Sequence, residues 1–196
     1  MITIGLTGSI GMGKTETTKI FANLGIPVFD SDAAVHSLLG PGGAAVDAVD
    51  GAFPGVKKDD KIDRELLAKK VFGDDKALEN LEKILHPLVS EKRKEFIKKQ
   101  IADIVLSDIP LLFEKGYEDE FDYIIVVSAP HDIQKKRVLS RPNMTEDRLN
   151  DILARQVPDN VKRKKADFII QTDRGLDYAR HQVEDVLKQI WKENNA

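Results

Sequence analysis

The sequence predicts an α/β fold: a parallel five-stranded sheet flanked by helices and interrupted by two inserts. Three observations predict it. Five short apolar runs rich in β-branched residues are spread along the chain, and none alternates cleanly between apolar and polar, the pattern of strands covered on both faces. Helical periodicities lie between the runs, as a βαβ arrangement requires. A glycine-rich segment joins the first run to the first helix.

The runs occupy residues 2–7, 27–30, 104–108, 123–127 and 168–170. One helix, 15–24, separates the first two and is closed by Gly25 at a C-cap position. About seventy residues separate the second and third runs, too many for one crossover connection. That stretch reads as an insert of several helices. A helix is expected over 64–72, with Leu67 and Val71 four apart, and another over 76–85, with Leu78, Leu81 and Leu85 on one face. Pro87 is expected to end the latter, because the residue before a proline disfavours the helical region. A weakly amphipathic helix follows over 88–100. The second insert, 140–165, lies between the fourth and fifth runs and is rich in Arg and Lys. In the final helix Leu176, Ala179, Val183, Val186 and Ile190 recur at helical spacing and should pack on the sheet. Pro41-Gly42-Gly43 reads as a local turn.

The chain has 196 residues, 41% hydrophobic and 32% charged, as expected of one globular domain carrying insertions. A net charge of −3 implies no general attraction to nucleic acid or to acidic membranes. There are no cysteines, which excludes disulfides, thiolate nucleophiles and Cys-based metal sites and fits a cytoplasmic protein. The first residues lack the pattern of a signal peptide, and no apolar run approaches the ~20 residues that span a bilayer. The four histidines show no metal-binding spacing.

Gly8-Ser9-Ile10-Gly11-Met12-Gly13-Lys14-Thr15 matches the phosphate-binding loop G-x-x-x-x-G-K-[ST] at every fixed position, with an apolar run before it and a helix after it. Its glycines let main-chain N–H groups turn towards phosphate oxygens. The helix N-terminus adds roughly half a positive charge. Lys14 supplies a full charge at the β/γ bridge of a nucleoside triphosphate, and the Thr15 hydroxyl is a hard ligand suited to Mg²⁺. The companions of a GTPase switch, D-x-x-G and N-K-x-D, do not occur. A dinucleotide fingerprint also fails, because Glu16 stands where the third glycine would be. ATP-dependent phosphorylation of a hydroxyl is the reading these features favour.

Asp30-Ser31-Asp32 follows the second run, at the sheet edge that faces the ligand crevice of a doubly wound fold. Asp32 is a candidate base for the hydroxyl proton, with Asp30 beside it; the alternative is that Asp32 caps a helix starting at Ala33. Asp108 ends the third run, either as an acid that holds a magnesium water shell or as a strand-end turn residue. Arg137 and Arg141 are four apart on one expected helix and share a face that could close over phosphates. The run Lys162-Arg163-Lys164-Lys165 reads as a solvated face, and His86, before Pro87, as a structural residue.

With these residues in view, the chain resembles the dephospho-coenzyme A kinase family from Ile4 to about Val186. The segment Gly5 to Thr15 is similar to that family's G-L-T-G-x-I-G-x-G-K-[ST], and Leu24-Gly25, Asp30-Ser31-Asp32 and His36 follow its L-G…D-x-D…H. Ile62-Asp63-Arg64, Val71-Phe72 and Leu85-His86-Pro87-Leu88 resemble its acceptor-binding region. Pro110-Leu111-Leu112-Phe113-Glu114 with Gly116 matches P-L-L-F-E-x-G, and Gln134, Arg137, Arg141 and Gln156 match Q-x-x-R…R…Q.

The resemblance implies transfer of the γ-phosphate of ATP to the ribose 3′-hydroxyl of dephospho-CoA, the last step of coenzyme A synthesis. Another small-molecule or nucleoside monophosphate kinase is the alternative, and a nucleotide-gated binding protein a more distant one. It implies a P-loop kinase domain over 1–196, with its core at 1–31, 101–139 and 166–196, an acceptor-binding helical insert at 32–100 and a lid at 140–165. The implied sheet order is 2-3-1-4-5. Asp32, Lys14 and Arg141 become the expected catalytic residues. Gly8 to Thr15, Arg137, Arg141 and Asp173 are expected at the nucleotide. Asp32, His86, Leu111, Leu112, Phe113 and Glu114 are expected at the acceptor, and Thr15 and Asp108 at Mg²⁺. A cytoplasmic monomer with no nucleic-acid or membrane partner is expected. The sequence departs from the family's pattern at four places: Thr15-Glu16 replaces the common Ser-Thr and keeps the metal-ligating hydroxyl, Pro142 stands where Asp often follows the lid arginine, Ile152 where many relatives carry arginine, and Thr172-Asp173-Arg174-Gly175 where an Asn-containing loop often meets the adenine.

Overall fold

The computed structural model describes residues 1–194. Its strands are β1 (Ile2–Thr7), β2 (Val28–Asp30), β3 (Lys57–Lys58), β4 (Lys61–Ile62), β5 (Ile104–Asp108), β6 (Tyr123–Ser128) and β7 (Phe168–Gln171). Its helices are α1 (Lys14–Asn23), α2 (Ser31–Leu39), α3 (Val46–Ala52), α4 (Arg64–Val71), α5 (Asp75–Lys98), α6 (His131–Leu139), α7 (Glu146–Ala154), α8 (Asp159–Lys165) and α9 (Leu176–Asn194). The chain divides into two compact units, Met1–Phe29 with the chain from Ile101 onward, and Asp30–Gln100. Residues 140–165 belong to the first.

The first unit is built on the five-stranded sheet, ordered β2-β5-β1-β6-β7, which is 2-3-1-4-5 when its strands alone are counted. The pairings of β1 with β5, β1 with β6 and β6 with β7 are parallel. Both faces are covered, which is why the strands do not alternate. Ile4, Leu6, Ile125 and Val127 share one apolar cluster with Ile20 and Phe21 of α1 and Ala179, Val183, Val186 and Ile190 of α9. Ile124 and Val126 point the other way, into a cluster with Ile109, Leu112 and Phe113. Each such side chain, taken out of water, contributes roughly 1.5–3 kcal/mol.

In the second unit α2 to α5 and the β3–β4 hairpin enclose a separate core that includes Leu38, Val49, Phe53, Ile62, Leu67, Leu81 and Leu85. Here one expectation fails. The helices expected over 76–85 and 88–100 are a single helix, α5, with Pro87 inside it. The proline removes one intrahelical bond and crowds the preceding turn, at a cost of about 3 kcal/mol. Burial of Leu81 and Leu85 before it, with Leu88 and Val89 packed on the same core after it, offsets that cost. The two short helices α2 and α3, the hairpin, and α7 and α8 were not resolved by periodicity; each is too short for a clear pattern.

Arg141 is also displaced from its expected place. Helix α6 stops at Leu139, and Arg141, whose N–H reaches the Val138 carbonyl, lies in the turn beyond it. Pro142 follows, and the residue before a proline leaves the helical region. Arg137 and Arg141 therefore do not share a helix face.

Candidate active site

The chain leaves β1 at Thr7, and α1 begins at Lys14. Between them Gly8 to Gly13 form the loop, packed tightly from below. A Cβ on Gly8 would lie 2.3 Å from Val127 Cγ2 and 2.9 Å from the Val127 carbonyl oxygen. Gly13, the residue before α1, has φ 95°, and a Cβ there would meet the Thr172 side chain at 2.9 Å. Only glycine fits both positions. Among the described residues no side chain caps α1, so its first N–H groups lack an internal partner and face outward with the positive end of the helix dipole.

The loop is braced at every carbonyl from residue 10 to 12. Gln134 Nε2 donates to the Ile10 carbonyl at 2.8 Å, while the Ile10 N–H donates to Gln156 Oε1 at 3.1 Å. Thr172 Oγ1 donates to the Met12 carbonyl at 2.7 Å. Arg137 donates to the Gly11 carbonyl at 3.4 Å, to Thr172 Oγ1 at 2.9 Å and to the Thr172 carbonyl at 2.6 Å. The Ala129 N–H approaches Met12 Sδ at 3.1 Å. A loop held this way keeps its N–H groups oriented before any anion arrives, and that preorganisation is what makes such donors effective.

Lys14 pairs with Asp108 Oδ1 at the carboxyl end of β5, and the other carboxylate oxygen accepts from Thr18 Oγ1 at 2.8 Å. Thr18 stands one helical turn after Lys14 and also donates towards its carbonyl at 3.0 Å. Thr15 is exposed at the mouth of the loop. A hydroxyl and a carboxylate are the hard oxygen donors that Mg²⁺ takes. Among the described residues no group of three or more His, Cys, Asp or Glu could hold a metal.

The other expected site residues are distributed as follows. Asp32 is exposed in the first turn of α2, and the cap is Asp30, whose carboxylate accepts the Ala33 N–H at 2.9 Å. The capping role therefore belongs to Asp30 and leaves the Asp32 carboxylate unused by the backbone. His86 is half-buried on α5; Asp32 and His86 both belong to the second unit. Arg141 is exposed, and Asp173, just after β7, lies 3.9 Å from Arg174 Nε.

The stretch expected at the acceptor is mostly wall. Leu111 is exposed, but Leu112 (0%) and Phe113 (7%) are buried core. Glu114 is committed to the interior: Oε1 lies 2.8 Å from Lys162 Nζ and accepts the Val157 N–H at 2.8 Å. Lys162 is fully buried, which corrects the reading of the basic run as a solvated face for that one residue. The contact is an ion pair without hydrogen-bond alignment, and the other carboxylate oxygen, Glu114 Oε2, is buried without a hydrogen-bond partner. Removing one member of such a pair strands the other charge. Lys162→Ala is expected to destabilise the protein by about 3–5 kcal/mol, read as a lowered urea midpoint, whereas Lys165→Ala on the surface should change it little. Equal midpoints for the two variants would contradict the burial argument.

The loop, Lys14, Asp108 and Arg137 are thus brought together in the first unit. Thr172, Thr18, Gln134 and Gln156 complete that corner. Thr18 could have been found from its spacing of four from Lys14; Thr172 carries no local signal, because its partners Met12 and Arg137 are distant in sequence.

Residues 2–177 match the family model described as dephospho-CoA kinase. A relative from Mesorhizobium japonicum bearing that name is 48% identical over 193 residues, covering 97% of each chain. A crystal structure from Thermus thermophilus superposes with a TM-score of 0.84 at 30% identity, over 96% of this chain and 97% of that one. The dephospho-CoA kinase structure from Campylobacter jejuni gives 0.65 at 26% identity, over 96% of each. A phosphate loop braced by Thr172, Arg137 and two glutamines, carried on this sheet in a chain that matches these relatives along nearly its whole length, means that the chain belongs to the dephospho-CoA kinase family.

Proposed function

We propose that the chain transfers the γ-phosphoryl group of ATP to the ribose 3′-hydroxyl of dephospho-CoA, giving coenzyme A and ADP. The observation that carries the nucleotide half is the uncapped start of α1 behind a glycine loop, with Lys14 held at its mouth by Asp108. Membership of the family carries the acceptor half. In this reading the loop N–H groups and Lys14 bind the triphosphate and neutralise charge that grows on the β–γ bridging oxygen as its bond to the γ phosphorus breaks. Asp32 takes the 3′-hydroxyl proton as the new oxygen–phosphorus bond forms. Thr15 and Asp108 would hold Mg²⁺ or its water shell, and the ion supplies further neutralisation of phosphate charge. Arg141, free at the surface, would close over the phosphates from the 140–165 lid; Asp173 would stand at the nucleotide, and His86 and Leu111 at the acceptor. Arg137 acts at one remove, by bracing the loop and Thr172.

We further propose that the protein works as a cytoplasmic monomer with no nucleic-acid or membrane partner; no helix among the described residues is long and apolar enough to cross a membrane. An acceptor panel tests the central reading. With ATP and Mg²⁺, dephospho-CoA should be phosphorylated, and nucleoside monophosphates and shikimate should not. Turnover of another acceptor with none of dephospho-CoA would refute the assignment.

A further inference from the structure

The geometry points to a seat for the acceptor's diphosphate in the second unit, in the cleft where α2, the β3–β4 hairpin and the start of α4 meet. Its donors are Arg64, His36 and Lys61. The inference rests on the reading of Asp32 as the base for a ribose 3′-hydroxyl, and deepens it by naming where the rest of the acceptor is held.

The cleft has a volume of 630 Å³, and His36, Lys58, Lys61, Asp63 and Arg64 are among its lining residues. Arg64 makes one contact, from Nη1 to His36 Nδ1 at 2.9 Å. A guanidinium can only donate, so Nδ1 accepts and the neutral ring carries its proton on Nε2. His36 is thereby set as a donor, and most of the Arg64 N–H groups remain available. No carboxylate pairs with Arg64, and the Lys61 side chain has no hydrogen-bond or ion-pair partner among the described residues.

The other cation is spoken for. Lys58 pairs with Asp63 at 2.8 Å, and Asp63 also caps α4 by accepting the N–H groups of Glu65 and Leu66 at 3.1 and 3.0 Å. The Lys58 hydrogen bond, then the Leu66 N–H, hold the Asp63 carboxyl below its usual range. This cap fixes Arg64 at the first position of α4, facing α2. The hairpin turn, with φ 46° at Asp59 and 59° at Asp60, delivers Lys61 to the same cleft. Two exposed acids, Asp59 and Glu65, also line the cleft and offset the two free cations. Selectivity therefore comes from directed donors, not from net charge, and an arginine fork beside a lysine is the donor set suited to phosphate oxygens.

Spacing links this cleft to the base. Asp32 and His36 are four apart on α2, hence on one face and about 6 Å along the axis. In a nucleotide the 3′-hydroxyl and the 5′-diphosphate leave the same ribose, a few bonds from one another. A ribose whose 3′-hydroxyl meets Asp32 can place its 5′-diphosphate one helical turn away, at His36 and Arg64.

Steady-state kinetics on wild type, Arg64→Ala, Arg64→Lys and Lys61→Ala test this. Loss of a charge-assisted hydrogen bond predicts that Arg64→Ala raises the KM for dephospho-CoA about 10- to 100-fold, with kcat and the KM for ATP held. Lys61→Ala should raise it by less, and Arg64→Lys should recover part of the loss. The wild-type KM for dephospho-CoA should rise with salt, and both alanine variants should flatten that dependence. The Lys61 side chain makes no contact on which the fold depends, and alanine keeps its backbone pairing in the hairpin, so its variant decides the matter even if Arg64→Ala unfolds. An unchanged KM and an unchanged salt dependence in Lys61→Ala, in an enzyme whose wild type turns over dephospho-CoA, would overturn the diphosphate seat alone. A wild type inactive on dephospho-CoA would overturn the reading beneath it.

Discussion

Asp32→Asn is expected to lower kcat by about 10²–10⁴-fold while leaving ATP affinity intact. The change keeps the shape of the side chain and removes its ability to accept a proton. It should leave the fold alone, because Asp30 caps α2 and Asp32 is exposed. Losing a negative charge in the first turn of a helix costs at most about 1 kcal/mol. Single-turnover rates with dephospho-CoA, beside calorimetric titration with ATP, separate the two effects. Wild-type turnover in this variant would remove the general-base role. A comparable fall in ATP affinity would show instead that Asp32 acts on the nucleotide.

Lys14→Ala should act on both quantities. Loss of one preorganised donor to developing charge costs about 10²–10³-fold in kcat, and loss of a full charge at the triphosphate should weaken ATP binding as well. Asp108 would lose its cation but keep the Thr18 hydroxyl at 2.8 Å, so β5 and α1 should remain in register. The measurement is kcat and the KM for ATP, with a thermal melt as the control for folding. Kinetics unchanged from wild type would be incompatible with a phosphate site at this loop. A variant that lost activity only through unfolding would show that the Lys14–Asp108 pair is structural first.

The two variants report on different units. Lys14 reports on the loop and the sheet edge, and Asp32 on the helix that follows β2. The Lys162 and Arg64 variants extend the comparison to a buried ion pair and to the proposed seat of the acceptor's diphosphate.

How much of this was legible depends on how far apart the partners are in the chain. The strands at 2–7 and 104–108 were readable to the residue, because a strand covered on both faces is a short run dominated by apolar and β-branched residues. The loop was readable because every group it needs is contiguous. Pro87 reads as a helix end because the local rule against helical proline is sound, while the burial that offsets it involves residues of α2 and α3 as well as α5. Lys162 reads as a solvated charge because it sits in a run of four; its partner Glu114 lies on the other side of β6.

The sequence by itself determined the phosphate loop, the parallel sheet with its flanking helices, and the family likeness, all of which rest on patterns a few residues long. Only the tertiary structure decided that Asp30 is the cap and Asp32 is free, that Thr172 and Arg137 brace the loop, that Arg141 leaves its helix, and that Glu114 and Lys162 are buried together. The physical reason is that periodicity and turn chemistry act between near neighbours, whereas a buried charge or a braced carbonyl finds its partner only when distant segments meet, and that partner's identity is not written beside it.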